Sequence, residues 1–340
     1  MKSPHSRRPW PALASVAAAA ALLASVLAAC SSGSSSTGTT TAASGPELPT
    51  ITVGVLLGSD DVTVQIAQDE GFFKQEGLTV KVVVMPSTNS ATTGLLSHTM
   101  DFAAENYVGM FQQEQAVPGL NLRIVADNDQ ATPNLFTLMV GKNSPITSLA
   151  QLKGKKVSFP AKGFNYGSMA TDIQLQPYHL SSTSFTTVAL PFSSAPQAIA
   201  TGTIDAAFTT EPFITIMEES SGARELTDLL SGPLAGFPVG CWGTTGSFVS
   251  KYPKTVAAFQ RAMVKAVRLA ASNTALVRAE LPKFVPTLKP QLAKVITLPQ
   301  FNTTLTLARM KRVADVMIRL GELPADFNVA AMFYPPPAGS

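Results

Sequence analysis

The chain has 340 residues, 45% hydrophobic and 14% charged, with 25 Lys and Arg against 22 Asp and Glu. That apolar fraction excludes a mainly disordered chain, and the length corresponds to about two domains at roughly 100–200 residues each. Lys2, Arg7 and Arg8 sit near the start; without them 22 basic residues face 22 acidic ones. The remainder is therefore neutral and lacks the basic footprint of non-specific nucleic-acid binding. Two cysteines, Cys30 and Cys241, are too few for a disulfide framework or a cysteine zinc cluster.

Residues 1–10 carry the three basic side chains and no acid, and residues 12–29 are almost all Ala, Leu and Val. A charged start followed by an apolar run is the order of a secretory signal, here residues 1–29. The run ends in Leu27-Ala-Ala-Cys30, which resembles the lipobox of bacterial lipoproteins. That resemblance implies cleavage before Cys30 and acylation of its thiol. It places the protein on the outer face of the cytoplasmic membrane or in the periplasm, held by lipid. The same apolar run also reads as an uncleaved membrane-spanning helix. Residues 31–45 read SSGSSSTGTTTAASG. They are too polar to bury a core, so residues 30–49 form a lipidated cysteine and a tether.

From residue 50 strand-like and helix-like segments alternate. Residues 51–57 are a short β-branched run, read as a buried strand. Ser59-Asp60-Asp61 offers an N-cap for a helix over 62–70, and Gly71 and Gly77 punctuate the turn. A strand over 78–85, a loop at 86–89, a helix to about 98 and a short strand from Asp101 follow. The order then recurs: strand 156–160, loop 161–167, helix 168–176, strand 184–190, a loop at 191–194 before a helix, and strand 204–208. Val-Met-Pro-Ser at 84–87 matches Ala-Leu-Pro-Phe-Ser at 189–193, and Met100-Asp-Phe-Ala103 matches Ile204-Asp-Ala-Ala207. Two similar lobes follow, each a mostly parallel sheet with helices on both faces. After residue 246 the strands end. Val256, Phe259, Met263, Val267 and Ala270 recur at helical spacing in a helix over 251–271, with Pro253 in its first turn. Further helices are expected over 274–281, 290–296 and 303–320, packed on the first lobe.

Four segments carry a family resemblance. They are Gln68-Asp-Glu-Gly-Phe-Phe-Lys-Gln-Glu-Gly-Leu78, Ser144-Pro-Ile-Thr-Ser-Leu-Ala-Gln-Leu-Lys-Gly-Lys155, Ala200-Thr-Gly-Thr-Ile-Asp-Ala-Ala207 and Glu211-Pro-Phe213. Together they resemble the solute-binding proteins of the nitrate/sulfonate/bicarbonate importers, the SsuA/TauA and thiamine-precursor-like family of ABC transporters. The resemblance implies an α/β type II periplasmic-binding fold: two lobes joined by two crossing strands, with a ligand cleft between them. The crossings fall near 129–134 and 234–241. The first lobe is then 50–133 with 237–340, and the second is 134–236. The implied function is capture of a small organic ligand by a monomer and delivery to an ABC permease and its ATPase, without catalysis, cofactor or metal. Two alternatives stay open. Some relatives of the fold make the thiamine pyrimidine from a protein-bound histidine with iron. Here only His98, His179 and Cys241 remain outside the leader, no Gly-x-Ser-x-Gly elbow is present, and no metal-ligand spacing appears. The other alternative is a surface lipoprotein that kept the fold without transport.

Ligand-contact candidates lie in the strand-end loops, where open α/β sheets bind their ligands. The first lobe offers Ser59, Asp60, Ser87, Thr88, Asn106 and Tyr107. The second offers Phe164, Asn165, Tyr166, Ser168, Phe192, Ser193 and Glu211, and Trp242 stands near the return crossing as a stacking surface. Each has a structural alternative: Asp60, Ser87 and Ser193 as N-caps, Trp242 as core packing, Glu211 as a brace beside Pro212. No arginine falls in these loops, whereas Asp60, Asp61, Glu105 and Glu211 do. This favours a neutral or cationic heterocycle over sulfonate or nitrate, although helix N-termini hold anions unaided.

Overall fold

The computed structural model describes residues 45–117, 119–302 and 304–337. Residues 1–44, with the expected signal segment, Cys30 and most of the expected tether, lie outside the described residues. Strand β1 (Thr50–Val55) leads to helices α1 (Val62–Asp69) and α2 (Phe72–Gln75), then β2 (Thr79–Val84), α3 (Thr88–Leu96), β3 (Phe102–Asn106), α4 (Tyr107–Ala116) and β4 (Leu122–Asp127). After the short β5 (Asp129–Gln130) come β6 (Phe136–Val140), β7 (Lys156–Phe159), α5 (Tyr166–Leu175), β8 (Thr186–Ala189), α6 (Ala195–Ala200), β9 (Ala206–Thr210), α7 (Phe213–Ser221) and β10 (Arg224–Asp228). The chain closes with β11 (Gly240–Thr245), α8 (Gly246–Lys251), α9 (Pro253–Ser272), α10 (Thr274–Phe284), β12 (Gln300–Phe301), α11 (Leu307–Arg319) and α12 (Val329–Met332). Among the described residues, no helix is long and apolar enough to cross a membrane.

Two five-stranded sheets result, ordered β2-β1-β3-β11-β4 and β10-β6-β9-β7-β8. Each is mixed rather than purely parallel. In the first, β11 runs against β3 and β4; in the second, β6 runs against β9 and β10. The reversed strands are the ones that follow the crossings. A chain arriving from the other lobe arrives at the carboxyl ends of the parallel strands, so it must run back down the sheet. The crossings hydrogen-bond to each other: Ala131 N–H donates to Phe237 O at 2.8 Å and Val239 N–H to Asp129 O at 3.2 Å.

The internal repeat extends to individual hydrogen bonds. Asp101 Oδ2 accepts from Thr52 N–H at 2.7 Å while Asp101 N–H donates to Thr52 O at 2.8 Å. Asp205 makes the same exchange with Lys156, both bonds at 2.8 Å. The hydroxyl pair Ser97–Thr99 at 3.1 Å has its counterpart in Thr201–Thr203 at 2.9 Å. An aspartate at the foot of the third strand thus fastens it to the first in both halves.

Packing follows the strand period of two. Ile51, Val53 and Val55 join Phe102 and Ala104 in a core under α1, α9 and α10, whereas Ala103, Leu122 and Ile124 face the opposite side. The expected α9 stripe is buried throughout, and Phe259 stacks on Phe102 with centroids 3.9 Å apart. Three C-terminal expectations need correction. Strands do not end at 246, because β12 pairs with β5. The stretch 290–296 holds only a single 3₁₀ turn, Leu292–Lys294, and the last long helix begins at Leu307, capped by the Thr306 hydroxyl. Order also begins before residue 50: Glu47 accepts from the N–H groups of Lys254 and Thr255 at 3.1 and 2.9 Å, closing the start of α9.

Asp101→Ala removes a charge-assisted bond at a half-buried site and is expected to cost about 1–2 kcal/mol. Urea unfolding would measure it; a loss near zero would mean that the aspartate at this repeat position is ornamental to the sheet.

Candidate functional site

The carboxyl ends of the parallel strands of both sheets converge on one cavity of about 80 Å³. Leu56, Gly58, Asp60 and Asp61 reach it from the β1–α1 loop, and Pro86 and Ser87 from the end of β2. Ala104, Glu105 and Asn106 come from β3, and Val239 from the return crossing. The second lobe supplies Phe136, Phe208 and Thr210 from strands β6 and β9, Pro160 and Phe192 from strand-end loops, and Asn165, Tyr166 and Gly167 from the start of α5.

The second-lobe wall is aromatic. Phe136 and Phe208 stack with centroids 5.8 Å apart, Tyr166 tilts against Phe136 at 5.6 Å, and Phe192 against Phe208 at 5.8 Å. Such rings cover a planar ligand with little loss of side-chain freedom. Asn165 caps α5, its Oδ1 accepting from Ser168 N–H at 3.1 Å. A side chain at Gly167 would place its Cβ 2.5 Å from the Phe208 ring, so glycine is what lets α5 lie on that ring. Gly163, in the preceding loop, has φ of 78°.

The first-lobe wall is acidic. The Asp61 carboxyl accepts from Leu56 N–H at 2.8 Å. Burial pushes it well above the ordinary carboxylate range, reinforced by Asp60, Asp129 and Glu105. Asp60 folds over Gly58, keeps a partial opening to the cavity, and is also raised by burial. Glu105 is raised well above its usual value by burial, and neither of its oxygens has a hydrogen-bond partner. Behind them, Asp129 accepts from Gly240 N–H at 2.8 Å and leaves Oδ2 unpartnered. Asp127 accepts from Tyr107 Oη at 2.8 Å and pairs with Arg309 Nε at 2.6 Å. Burial nevertheless raises Asp127 to about 6. No lysine, arginine or histidine lines the cavity among the described residues.

Of the residues expected at the ligand, Asp60, Ser87, Asn106, Asn165, Tyr166 and Phe192 line this cavity. Others do not. Tyr107 is fully buried, because α4 begins there and turns the ring into the core toward Asp127. Trp242 is fully buried against Phe259 on the far face of the first sheet. Ser168 is spent in the α5 capping box, Phe164 packs on the core, Ser193 lies exposed in a 3₁₀ turn, and Thr88 opens α3. Ser59 and Glu211 join the lobes instead: Ser59 N–H donates to Glu211 O at 3.0 Å. The Glu211 carboxyl accepts from Thr215 Oγ1 at 2.8 Å and Thr297 N–H at 3.1 Å. Among the expected caps, Ser87 does start α3, but neither Asp60 nor Ser193 caps a helix. Phe136, Phe208 and Thr210 were not among the candidates, since they lie within strands and only the topology turns them to the cleft.

His98, at the end of α3, and His179, in a surface turn, stand apart from Cys241, which is buried in β11. No group of three or more His, Cys, Asp or Glu side chains is arranged for a metal ion among the described residues.

Two α/β lobes, two crossings and a cavity at the facing strand ends define a periplasmic-binding type of protein. The alkanesulfonate-binding protein SsuA of Xanthomonas axonopodis pv. citri, bound to MOPS, superposes with a TM-score of 0.72 at 20% identity, over 86% of this chain and 100% of that one. The periplasmic nitrate-binding protein NrtA of Synechocystis PCC 6803 superposes with a TM-score of 0.68 at 16% identity, over 85% of this chain and 86% of that one. At such identities the likeness is one of fold. Residues 61–275 match the family described as NMT1/THI5 like, and the chain belongs to that family. It is also 28% identical over 148 residues to a protein of Haemophilus influenzae named for thiamine biosynthesis, covering 43% of this chain. It spans less than half, 45%, of that relative's length.

The acids give the protein an unusual pH profile. A folded-state value of about 6 for Asp127, against 3.8 ordinarily, means that the fold favours the neutral carboxyl. That stability is complete below the unfolded value and is lost as pH rises through the folded one. Asp61, Asp129 and Glu105 act in the same direction. Urea midpoints are expected to fall as pH rises from about 4 through about 6; a flat or rising profile contradicts this electrostatic description. Tyr166→Phe, which deletes a hydroxyl without a partner, is expected to leave stability unchanged or raise it by about 1 kcal/mol.

Proposed function

We propose that the protein is an extracytoplasmic solute-binding lipoprotein, anchored through Cys30, that hands a small ligand to the permease of an ABC importer. The ligand favoured is a planar, cationic or N–H-rich heterocycle. The observation that carries this reading is a cavity walled by aromatic rings on one side and by Asp60, Asp61 and Glu105 on the other, with no basic side chain lining it among the described residues. A sulfonate or nitrate placed there would face desolvated carboxyls; a cation would be attracted by them. The relative named for thiamine biosynthesis is in keeping with a nitrogen heterocycle.

Binding would proceed through one lobe first. Closing adds the other wall, so the closed form is favoured by its greater affinity for ligand. The Ser59–Glu211 main-chain bond would help hold such a closed arrangement. A permease that recognises only the closed pair of lobes would then collect loaded protein.

The test is a thermal-shift and calorimetric panel on the soluble form starting at Ser44. It sets benzamidinium, aminopyridinium and pyrimidine cations against MOPS, alkanesulfonates and nitrate. Cations are expected to raise the melting temperature by mass action. Asp60→Asn should weaken them by about tenfold to a hundredfold, the range for a hydrogen bond to a charged group. Tyr166→Ala should weaken every ligand while the protein stays folded. Stabilisation by sulfonates alone would overturn the reading.

A further inference from the structure

Three carboxylic acids meet at one wall of the cavity. Asp60 and Asp61 line it from the β1–α1 loop, and Asp129 stands behind them on the first crossing, fully buried. Their fields overlap: Asp61 feels both Asp60 and Asp129, and Asp129 feels Asp60. Few donors serve them. Asp61 has Leu56 N–H and Asp129 has Gly240 N–H, each at 2.8 Å, and Asp129 Oδ2 has none.

The neighbouring elements add Glu105 from β3, Tyr107 from α4, Asp127 from β4, Tyr166 from α5, Cys241 from β11, and Arg309 and Arg312 from α11. The two arginines are the cations of that set, and neither bonds a carboxyl of the three, although the Arg309 charge partly offsets Asp129, whose main-chain carbonyl accepts from Arg309 Nη2 at 3.5 Å. Arg309 pairs with Asp127 at 2.6 Å and donates to Gln130 Oε1 at 2.9 Å. Arg312 donates to the carbonyls of Gly236 and Ala235 at 2.8 and 3.0 Å. Two buried acids and a third with only a partial opening do not all ionise when the nearest cation is paired with Asp127, so the cluster holds a proton. An independent feature points to a ligand in the same cavity. The Tyr166 hydroxyl, on a residue 5% exposed that lines the cavity from the opposite lobe, has no hydrogen-bond partner.

We infer that the cavity admits its cation in exchange for a proton held by the Asp60–Asp61–Asp129 cluster. The inference rests on the cationic reading above. The exchange balances: a neutral carboxylic acid becomes a carboxylate paired with the ligand cation, no covalent bond to the ligand forms, and one proton passes to solvent. Capture is therefore weaker in acid, where the proton competes, and stronger as pH rises. The dependence levels off once the empty cluster ionises by itself.

The experiment is titration calorimetry of the wild-type soluble form with benzamidinium, whose charge stays constant over the range used. Phosphate and Tris buffers at matched pH have very different heats of ionisation, so a released proton appears as a difference in observed heat. About one proton released per ligand is expected, with Kd falling about tenfold per pH unit over the acidic part of the range. In Asp129→Asn the proton count should drop, because the coupling that keeps the cluster protonated is reduced. Binding with equal heats in both buffers and a flat pH profile would overturn the exchange and leave the cationic reading standing. Failure of benzamidinium and every other cation of the panel to bind would overturn both. The wild-type buffer comparison decides the matter even if a variant fails to fold.

Discussion

The crossings are the constraint from which the rest of the molecule follows. Two antiparallel segments, tied by the Ala131–Phe237 and Val239–Asp129 main-chain bonds, carry the chain out of one lobe and back. Each delivers a strand at the carboxyl edge of a sheet, so each sheet acquires one reversed strand, β6 or β11. The same geometry turns the carboxyl ends of the two sheets toward each other. Six strand-end loops then face a common space, and the cavity is a consequence of connectivity before it is a matter of side chains.

Side chains decide what that space prefers. The second lobe lines it with stacked rings whose apolar area needs no partner. The first lobe lines it with acids whose charged forms are poorly solvated. Burying Asp127 and Asp129 beside the crossings is tolerable because Arg309, Tyr107 and Gly240 N–H satisfy three of their four oxygens. Asp60, Asp61 and Glu105 have less support, and neutralisation by protons is the cheaper state when nothing else occupies the wall. The same acids thus destabilise the protein at high pH and carry the proposed preference for a cation.

Much of the fold is legible in the sequence because its signals are local. The β-branched runs at 51–55 and 79–84, the paired Pro-Ser and Asp-Phe-Ala segments, and the α9 stripe all depend on residues near one another in the chain. Strands β4, β6, β10 and β11 escape that reading. Their partners are distant in sequence, and segments such as Gly-Cys-Trp-Gly-Thr-Thr at 240–245 show no period of their own. The site divides in the same way. Loop residues Asp60, Asn165 and Tyr166 are recognisable from strand-end position and type. Tyr107 and Trp242 illustrate the limit: an aromatic ring beside a cleft loop faces whichever side the backbone turns it, and here both rings turn to the core. Phe136 and Phe208 illustrate the converse, since nothing local marks which face of a strand looks across to another lobe.

The structural neighbours named for alkanesulfonate and nitrate share this fold, so the proposed preference for a cation needs a physical account within the same scaffold. Helix N-termini at strand ends offer positive dipole ends and free N–H groups to an anion. In this chain side chains occupy part of that offer. Asn106 Oδ1 accepts from Gly109 N–H at 2.7 Å at the start of α4, and Asn165 Oδ1 accepts from Ser168 N–H at 3.1 Å at the start of α5. With those donors taken by caps and carboxyls placed on the first-lobe wall, the acids outweigh the helix ends in the local field. The proposed preference for a cation thus rests on a few loop residues within a shared fold.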